Sequence, residues 1–248
     1  MSAWQKTMTI YRRELKSYFQ SPIAYVCIVI FLLVAQALAF LFGGLIERGE
    51  ASLTDSFFTF LPWIFMIVAP AVGMRLWSEE QRQGTMELIL TMPIAPWQAI
   101  LGKFLAAAVV LLVAIALTFP VVLTINYLGD PDNGAILCGY LGSYFLALSC
   151  LAVTSVVSAF TRNQVVCLLV SVSICLFIVM AGFPPVTRFL GNLPGGASLV
   201  DVVASFSVMS HFIESTKGVL VSRDVVFFLS FIFFCLFSTA VVLRMKRA

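Results

Sequence analysis

Residues 104–129 read FLAAAVVLLVAIALTFPVVLTINYLG, an uncharged stretch held between Lys103 and Asp130. A bilayer core is about 30 Å thick, so a helix needs about 20 apolar residues to cross it. This stretch is long enough to do so. The same test, carried outward along the chain, finds five more uncharged runs of sufficient length: 17–46, 56–74, 133–161, 163–187 and 225–243. The runs 189–200 and 202–213 are each about half a crossing and carry Pro194, Gly195, Gly196, Ser210 and His211. They read as interfacial or re-entrant pieces of an extracytoplasmic region spanning 183–223. The expected fold is an all-α integral membrane protein of six transmembrane helices in a single domain, 1–248.

Composition agrees. Of 248 residues, 61% are hydrophobic and only 11% charged, and 23 are phenylalanine. No water-soluble domain of this length has enough polar surface to cover such a chain. Mostly polar and amphipathic residues precede the first full-length span, so no cleaved signal peptide is expected. Cys27, Cys138, Cys150, Cys167, Cys175 and Cys235 lie in or at the ends of spans, with no Cys-x-x-Cys pair. They read as small buried apolar residues, and no metal site is expected.

Orientation follows from the cations. Alternating the loops puts Lys6, Arg12, Arg13, Lys16, Arg75, Arg82, Lys103, Arg162, Arg244, Lys246 and Arg247 on one side, and only Arg48, Arg188, Lys217 and Arg223 on the other. By the positive-inside rule the first side is the cytoplasm, with both termini in it. Missing or inventing one span would reverse every later loop and destroy this asymmetry.

Two cytoplasmic segments stand out. Ahead of span one, Trp4, Tyr11, Leu15 and Tyr18 recur at spacings of seven, four and three, while Lys6, Arg12, Arg13 and Lys16 occupy much of the remaining circumference. That pattern predicts an amphipathic helix at the inner membrane surface, turning into the bilayer at Ser21-Pro22. Between spans two and three runs a long link, Arg75 to Lys103. Ser78 with Gln81 has the form of a capping box, Gly84 permits a bend, and Thr85 is placed to cap a second short helix with Glu87 in its first turn. Met86, Ile89, Leu90 and Pro93 make an apolar stripe on that helix, and Pro93 ends it. A short helix of this kind suits a groove on another protein; the alternative is a solvated loop resting on lipid.

The ordered set Arg12-Arg13-Glu14-Leu15-Lys16-Ser17-Tyr18-Phe19, Ser21-Pro22, Leu61-Pro62-Trp63 to Ala69-Pro70 and Met74-Arg75-Leu76-Trp77 resembles ABC type-2 permeases, the gliding-motility type in particular. Glu79-Glu80, Gly84-Thr85, Glu87-Leu88, Thr91-Met92-Pro93 and Gly102-Lys103 extend the resemblance. Ser210-His211-Phe212, Lys217-Gly218 and Arg223-Asp224-Val225 carry it to the far end. The resemblance implies the membrane subunit of an ATP-driven transporter, an exporter in a bacterial inner membrane. Residues 78–93 are then the coupling helix that docks on a cytoplasmic ATP-binding subunit through Glu79, Glu80, Arg82, Gly84, Thr85 and Glu87. Residues 1–20, with Trp4, Tyr11, Arg12, Arg13, Leu15 and Lys16, are the connecting helix at the membrane interface. It further implies a second permease copy or paralogue, contact with membrane lipid and room for an auxiliary membrane subunit, with no nucleic-acid partner. ATP and magnesium belong to the partner subunit, and this chain carries no cofactor and no catalytic residue.

The residues themselves are consistent with that division. No Gly-x-x-x-x-Gly-Lys-[Ser/Thr] phosphate loop exists, since Gly102-Lys103 is followed by Phe104. The spans hold no Asp, Glu, Lys or Arg away from their ends, which argues against an ion-coupled carrier, the first rival reading. A non-transporting membrane scaffold is the second rival. Gln36, Asn126, Ser149, Thr154, Ser155, Ser171 and Ser173 read as helix-packing contacts. Pro70 and Pro120 are expected to kink their helices. Asp201, His211, Glu214 and Lys217 read as wetted loop, with an exit ring as the alternative. The helices suit an apolar, amphiphilic or polypeptide cargo.

Overall fold

The computed structural model describes residues 3–43, 53–86, 95–129, 131–183, 185–186, 207–219 and 221–246. Among them the chain is helical throughout, and six helical segments are long and apolar enough to cross a membrane. It is a multi-pass membrane protein. In order the helices are α1 (Ala3–Gln20), α2 (Pro22–Leu41), a single turn α3 (Leu53–Ser56), α4 (Leu61–Gly73), α5 (Arg75–Gln83), α6 (Pro96–Ala116), α7 (Phe119–Leu128), α8 (Asn133–Phe160), α9 (Gln164–Ala181), α10 (Val208–Thr216) and α11 (Ser222–Met245).

Their starts are written in side chains. Ser21, Asp132, Asn163 and Ser207 each precede a helix and accept backbone N–H bonds from its first turn, satisfying donors that the helix itself leaves unpaired. Pro22, Pro62, Pro96 and Pro120 sit in the opening turns of α2, α4, α6 and α7, where a missing N–H costs nothing.

The bundle is arranged around α8, which packs against α4, α5, α6, α9, α10 and α11. Its buried surface is made of small residues, including Gly139, Gly142, Ser143, Ala147, Ala152 and Ser158. In lipid the apolar effect does not drive helices together, so close backbone approach and dispersion contacts must. Large apolar side chains instead turn outward on the peripheral helices: Leu33 on α2, Leu169 and Phe177 on α9, Phe233 and Phe234 on α11 are all exposed. Such area is untenable in water and ordinary in a bilayer. Gly142 is one such close approach, because a Cβ there would lie 2.7 Å from Ser215 Cβ on α10. Gly142→Val therefore overpacks the α8–α10 contact, at a cost of about 1–3 kcal/mol. A lowered melting midpoint of the detergent-solubilised protein checks this, with Gly142→Ala falling between the two.

The six spans agree with the uncharged runs, and two local features differ from expectation. Span two does not stop at Arg75. Met74 N–H reaches the Pro70 carbonyl at 2.8 Å, and α5 carries the helix on into the link. Ser78 is consequently not a cap. It lies inside α5, fully buried, and its hydroxyl donates to the Met74 carbonyl. Pro120 does more than kink span three. The helix breaks at 117–118, and Thr118 fills the joint by bonding the Ile115 carbonyl at 2.6 Å and meeting the Tyr140 hydroxyl at 3.0 Å. A proline cannot donate to the carbonyl four residues back, and at the break the Thr118 and Tyr140 hydroxyls bond the Ile115 and Thr118 carbonyls.

The candidate docking end and its ionic joint

The cation-rich end of the bundle gathers α1, the α4–α5 junction, the start of α6, the α8–α9 turn and the end of α11. The expected amphipathic helix is present as α1, but it does more than lie on lipid. Ile10 packs over Gly102 of α6, where a Cβ would come within 3.0 Å of its side chain. The Tyr18 hydroxyl donates to the Val72 carbonyl of α4 at 3.1 Å. Trp4, Arg12, Arg13 and Lys16 face outward, while Tyr11 and Leu15 are half-buried.

Between these helices lies an ionic joint. Lys103, in the second turn of α6, is 4% exposed. Its Nζ sits 2.7 Å from Glu80 Oε1 on α5 and 3.3 Å from Glu14 Oε2 on α1. The same ammonium lies 5.4 Å from the centre of the Trp77 ring, and Arg13 pairs with Glu14 at 2.6 Å. One cation thus bridges three helices that are far apart in sequence. A buried charge is tolerable only when paired this closely. Glu80 Oε2 remains buried with no hydrogen-bond partner among the described residues. Burial alone works to raise the Glu14 carboxyl, but the Lys103 ammonium, with Arg13, outweighs it and holds the group below its ordinary 4.5.

That depression has a sign for stability. A carboxyl lowered in the folded state stabilises fully above its unfolded value, and the contribution is lost as pH falls through the folded value. The Glu14 contribution to the docking of α1 is therefore expected to be constant down to the ordinary 4.5 and to fall away below it, while Glu80, whose carboxyl burial raises, contributes the opposite trend above that value. Hydrogen exchange in α1 followed down the pH scale reads this, and Glu14→Gln should remove the loss at low pH.

The expected docking residues divide. Glu79 is paired with Arg75 at 2.8 Å, and Arg75 also donates to the Ser21 hydroxyl at 2.8 Å. Glu80 faces inward onto Lys103. Gln81 donates to the Ser158 and Ala159 carbonyls at 3.2 and 2.7 Å, and Trp77 N–H donates to Ser158 Oγ at 3.1 Å. These contacts clamp α5 on the end of α8, so Gln81 is an anchor and not half of a capping box. Arg82 and Gln83 are exposed. Gly84 ends α5 with φ 70°, the left-handed geometry that glycine adopts without strain.

Thr85 also differs from expectation. Its N–H and hydroxyl both point back to the Glu80 carbonyl, at 3.1 and 3.5 Å, closing α5. Glu87, together with the stripe of Ile89, Leu90 and Pro93, lies outside the described residues. Among the described residues nothing lies within 4 Å of a Cβ placed on Gly84, so among them only backbone strain opposes substitution there. Gly84→Val is expected to cost about 1–2 kcal/mol locally and Gly84→Asn far less, read as faster hydrogen exchange at Thr85 and its neighbours.

At the opposite end, His211 is buried. Its Nδ1–H donates to Asp224 Oδ1 at 2.7 Å, and its ring stacks on Phe227 with centroids 4.0 Å apart. The wetted-loop expectation fails for this residue: the pair ties α10 to the first turn of α11. Glu214 and Lys217 are exposed, and Asp201 lies outside the described residues. Sequence reasoning missed both this pair and the role of Lys103. The available signal was acid in unexpected company: Glu14 set among four basic residues near the start, Lys6, Arg12, Arg13 and Lys16, and Asp224 at the mouth of an apolar span. Among the described residues no group of His, Cys, Asp or Glu is arranged to hold a metal.

A search of curated proteins found no match. The family model described as "ABC-2 family transporter protein" matches residues 8–199, which covers most of α1, the ionic joint and five of the six spans. On that match over most of its length, the chain belongs to the ABC-2 transporter family.

Proposed function

We propose that this chain is the permease subunit of an ATP-driven exporter of the gliding-motility type in a bacterial inner membrane. It pairs with a second permease copy or paralogue and with cytoplasmic ATP-binding subunits, which hold the ATP and magnesium. The observation that carries this reading is the Glu14–Lys103–Glu80 joint. It makes the amphipathic helix, the cytoplasmic extension of span two and the root of span three move together. A push delivered to the link at Gly84 is then passed to two spans at once and to the membrane-surface helix. Family membership implies an ATP-binding partner and supports the division of labour.

Docking falls to the part of the link that faces outward: Arg82, Gly84 and Thr85, with Glu79 at the flank and Glu87 beyond. Glu80, although predicted for that role, serves the joint. The test is to purify the chain gently from its native membranes. A phosphate-loop ATPase should accompany it at equal stoichiometry and be lost from an Arg82→Glu/Glu87→Lys variant that still folds. Purification without any ATPase, under conditions that preserve known complexes, contradicts the reading.

A further inference from the structure

Beside the docking turn is a cavity of about 550 Å³ formed where three cytoplasmic ends meet. Gln81, Arg82, Gln83 and Gly84 supply one wall, Arg162 in the α8–α9 turn a second, and Lys246 after α11 the third. All three charged lining residues are cations. Lys246 Nζ is held by neutral acceptors, Gln81 Oε1 at 2.8 Å and the Phe160 carbonyl at 3.2 Å. Among the described residues, none of the three cations has a carboxylate within ion-pair distance. Burial and the nearby Arg162 guanidinium lower the Lys246 ammonium below its ordinary value, as expected of like charges gathered without a counterion.

The level of the cavity is set by its neighbours. Phe160, Val165 and Met245 are 61%, 62% and 74% exposed, and each lies within three residues of Arg162 or Lys246 in the chain. Large apolar side chains in the open are lipid-facing, so the cations begin where the acyl region ends. We propose that this cavity binds the headgroup of an anionic phospholipid of the cytoplasmic leaflet, its phosphate among Arg82, Arg162 and Lys246 and its acyl chains against Phe160, Val165 and Met245. Guanidinium groups present paired donors that match phosphate oxygens, and basic pockets between spans on the cytoplasmic side are suited to such headgroups. An acidic segment of a soluble partner has no use for the apolar border. The bound lipid fastens the docking turn at Gly84 to the far end of span six, so the link is ordered by the membrane it works in.

The test uses the full-length chain in detergent, supplemented with palmitoyl-oleoyl phosphatidylglycerol or the matching phosphatidylcholine, with retained lipid counted by native mass spectrometry. Phosphatidylglycerol should be retained in preference. Arg162→Gln or Lys246→Gln should each lower its retention about fivefold, and the pair about twenty-fivefold. The charge-matched control Lys217→Gln/Arg223→Gln, at the opposite end, should leave it unchanged. Equal loss in the control overturns the site in favour of diffuse attraction. Displacement of the lipid by millimolar inorganic phosphate overturns the lipid source and leaves a phosphate site. Unchanged lipid retention with loss of a co-purifying ATPase assigns the cavity to an acidic segment of that partner and overturns the proposal.

Discussion

Lys103→Met destabilises the protein by about 3–5 kcal/mol, the scale for breaking a buried ion pair by removing one partner. The reason is local. Among the described residues Lys103 is the one ammonium that pairs with both the Glu14 and Glu80 carboxylates, and Glu80 has one oxygen buried without a partner among them. With the cation gone, two carboxylates face each other in the contact between α1, α5 and α6, and only Arg13 remains on the Glu14 side. The measurement is a chemical or thermal unfolding midpoint in detergent, paired with hydrogen exchange in α1. A second variant separates stability from coupling. Lys103→Met with Glu14→Leu and Glu80→Leu removes every charge of the joint, and burying apolar groups in their place should recover most of the loss. If the triple variant regains stability, binds its ATPase and still couples normally, the joint is a packing device and not a lever. If stability returns while nucleotide-driven movement does not, the joint transmits force.

The second large effect is at the outer end. His211→Ala is expected to cost about 3–5 kcal/mol, because Asp224 is 1% exposed, its Oδ2 has no partner among the described residues, and the imidazole holds its Oδ1 at 2.7 Å. Removal of the ring also strips the stacked face from Phe227. Asp224→Asn should be milder, since it discharges the buried group and keeps an acceptor for His211. That order, His211→Ala below Asp224→Asn below wild type in melting midpoint, tests the pair. A His211→Ala variant within about 0.5 kcal/mol of wild type, the range of an ordinary surface change, would mean that the carboxyl is not held in an apolar site.

The architecture was legible because a membrane imposes one strong rule. Backbone polar groups must be satisfied within a span, so length without charge locates helices by itself, as 104–129 does. The same rule falters where polar side chains repair the backbone. Thr118 and Tyr140 allow span three to break where Pro120 predicts only a bend. Contacts between Gln81 and the Ser158 and Ala159 carbonyls allow span two to run on as α5, past charges that end an apolar run.

The candidate site was legible in outline and not in its wiring. Spacing placed Glu79, Glu80 and Arg82 on one short segment, and the left-handed turn at Gly84 fits the expected bend. Which charge faces a partner and which faces inward depends on a lysine more than twenty positions away and on a helix at the other end of the sequence. No periodicity encodes that meeting. The resemblance pointed to the ABC-2 family from the ordered motifs along 12–103 and 210–225; the family match covers the first set and ends before the second. The assignment to a motility-type exporter remains the proposal above.

The central claim is that nucleotide at a partner ATPase moves this permease. The direct measurement is a distance between spin labels at Tyr127→Cys, 92% exposed at the outer end of α7, in the two permease copies of the purified complex. Label attachment requires a background in which the native cysteines are replaced. The account predicts that the distance distribution shifts when ATP is trapped at the ATPase, and that the shift disappears in the charge-free variant of the Glu14–Lys103–Glu80 joint. An identical distribution with and without trapped nucleotide, in a complex that hydrolyses ATP, would contradict it and favour a scaffold.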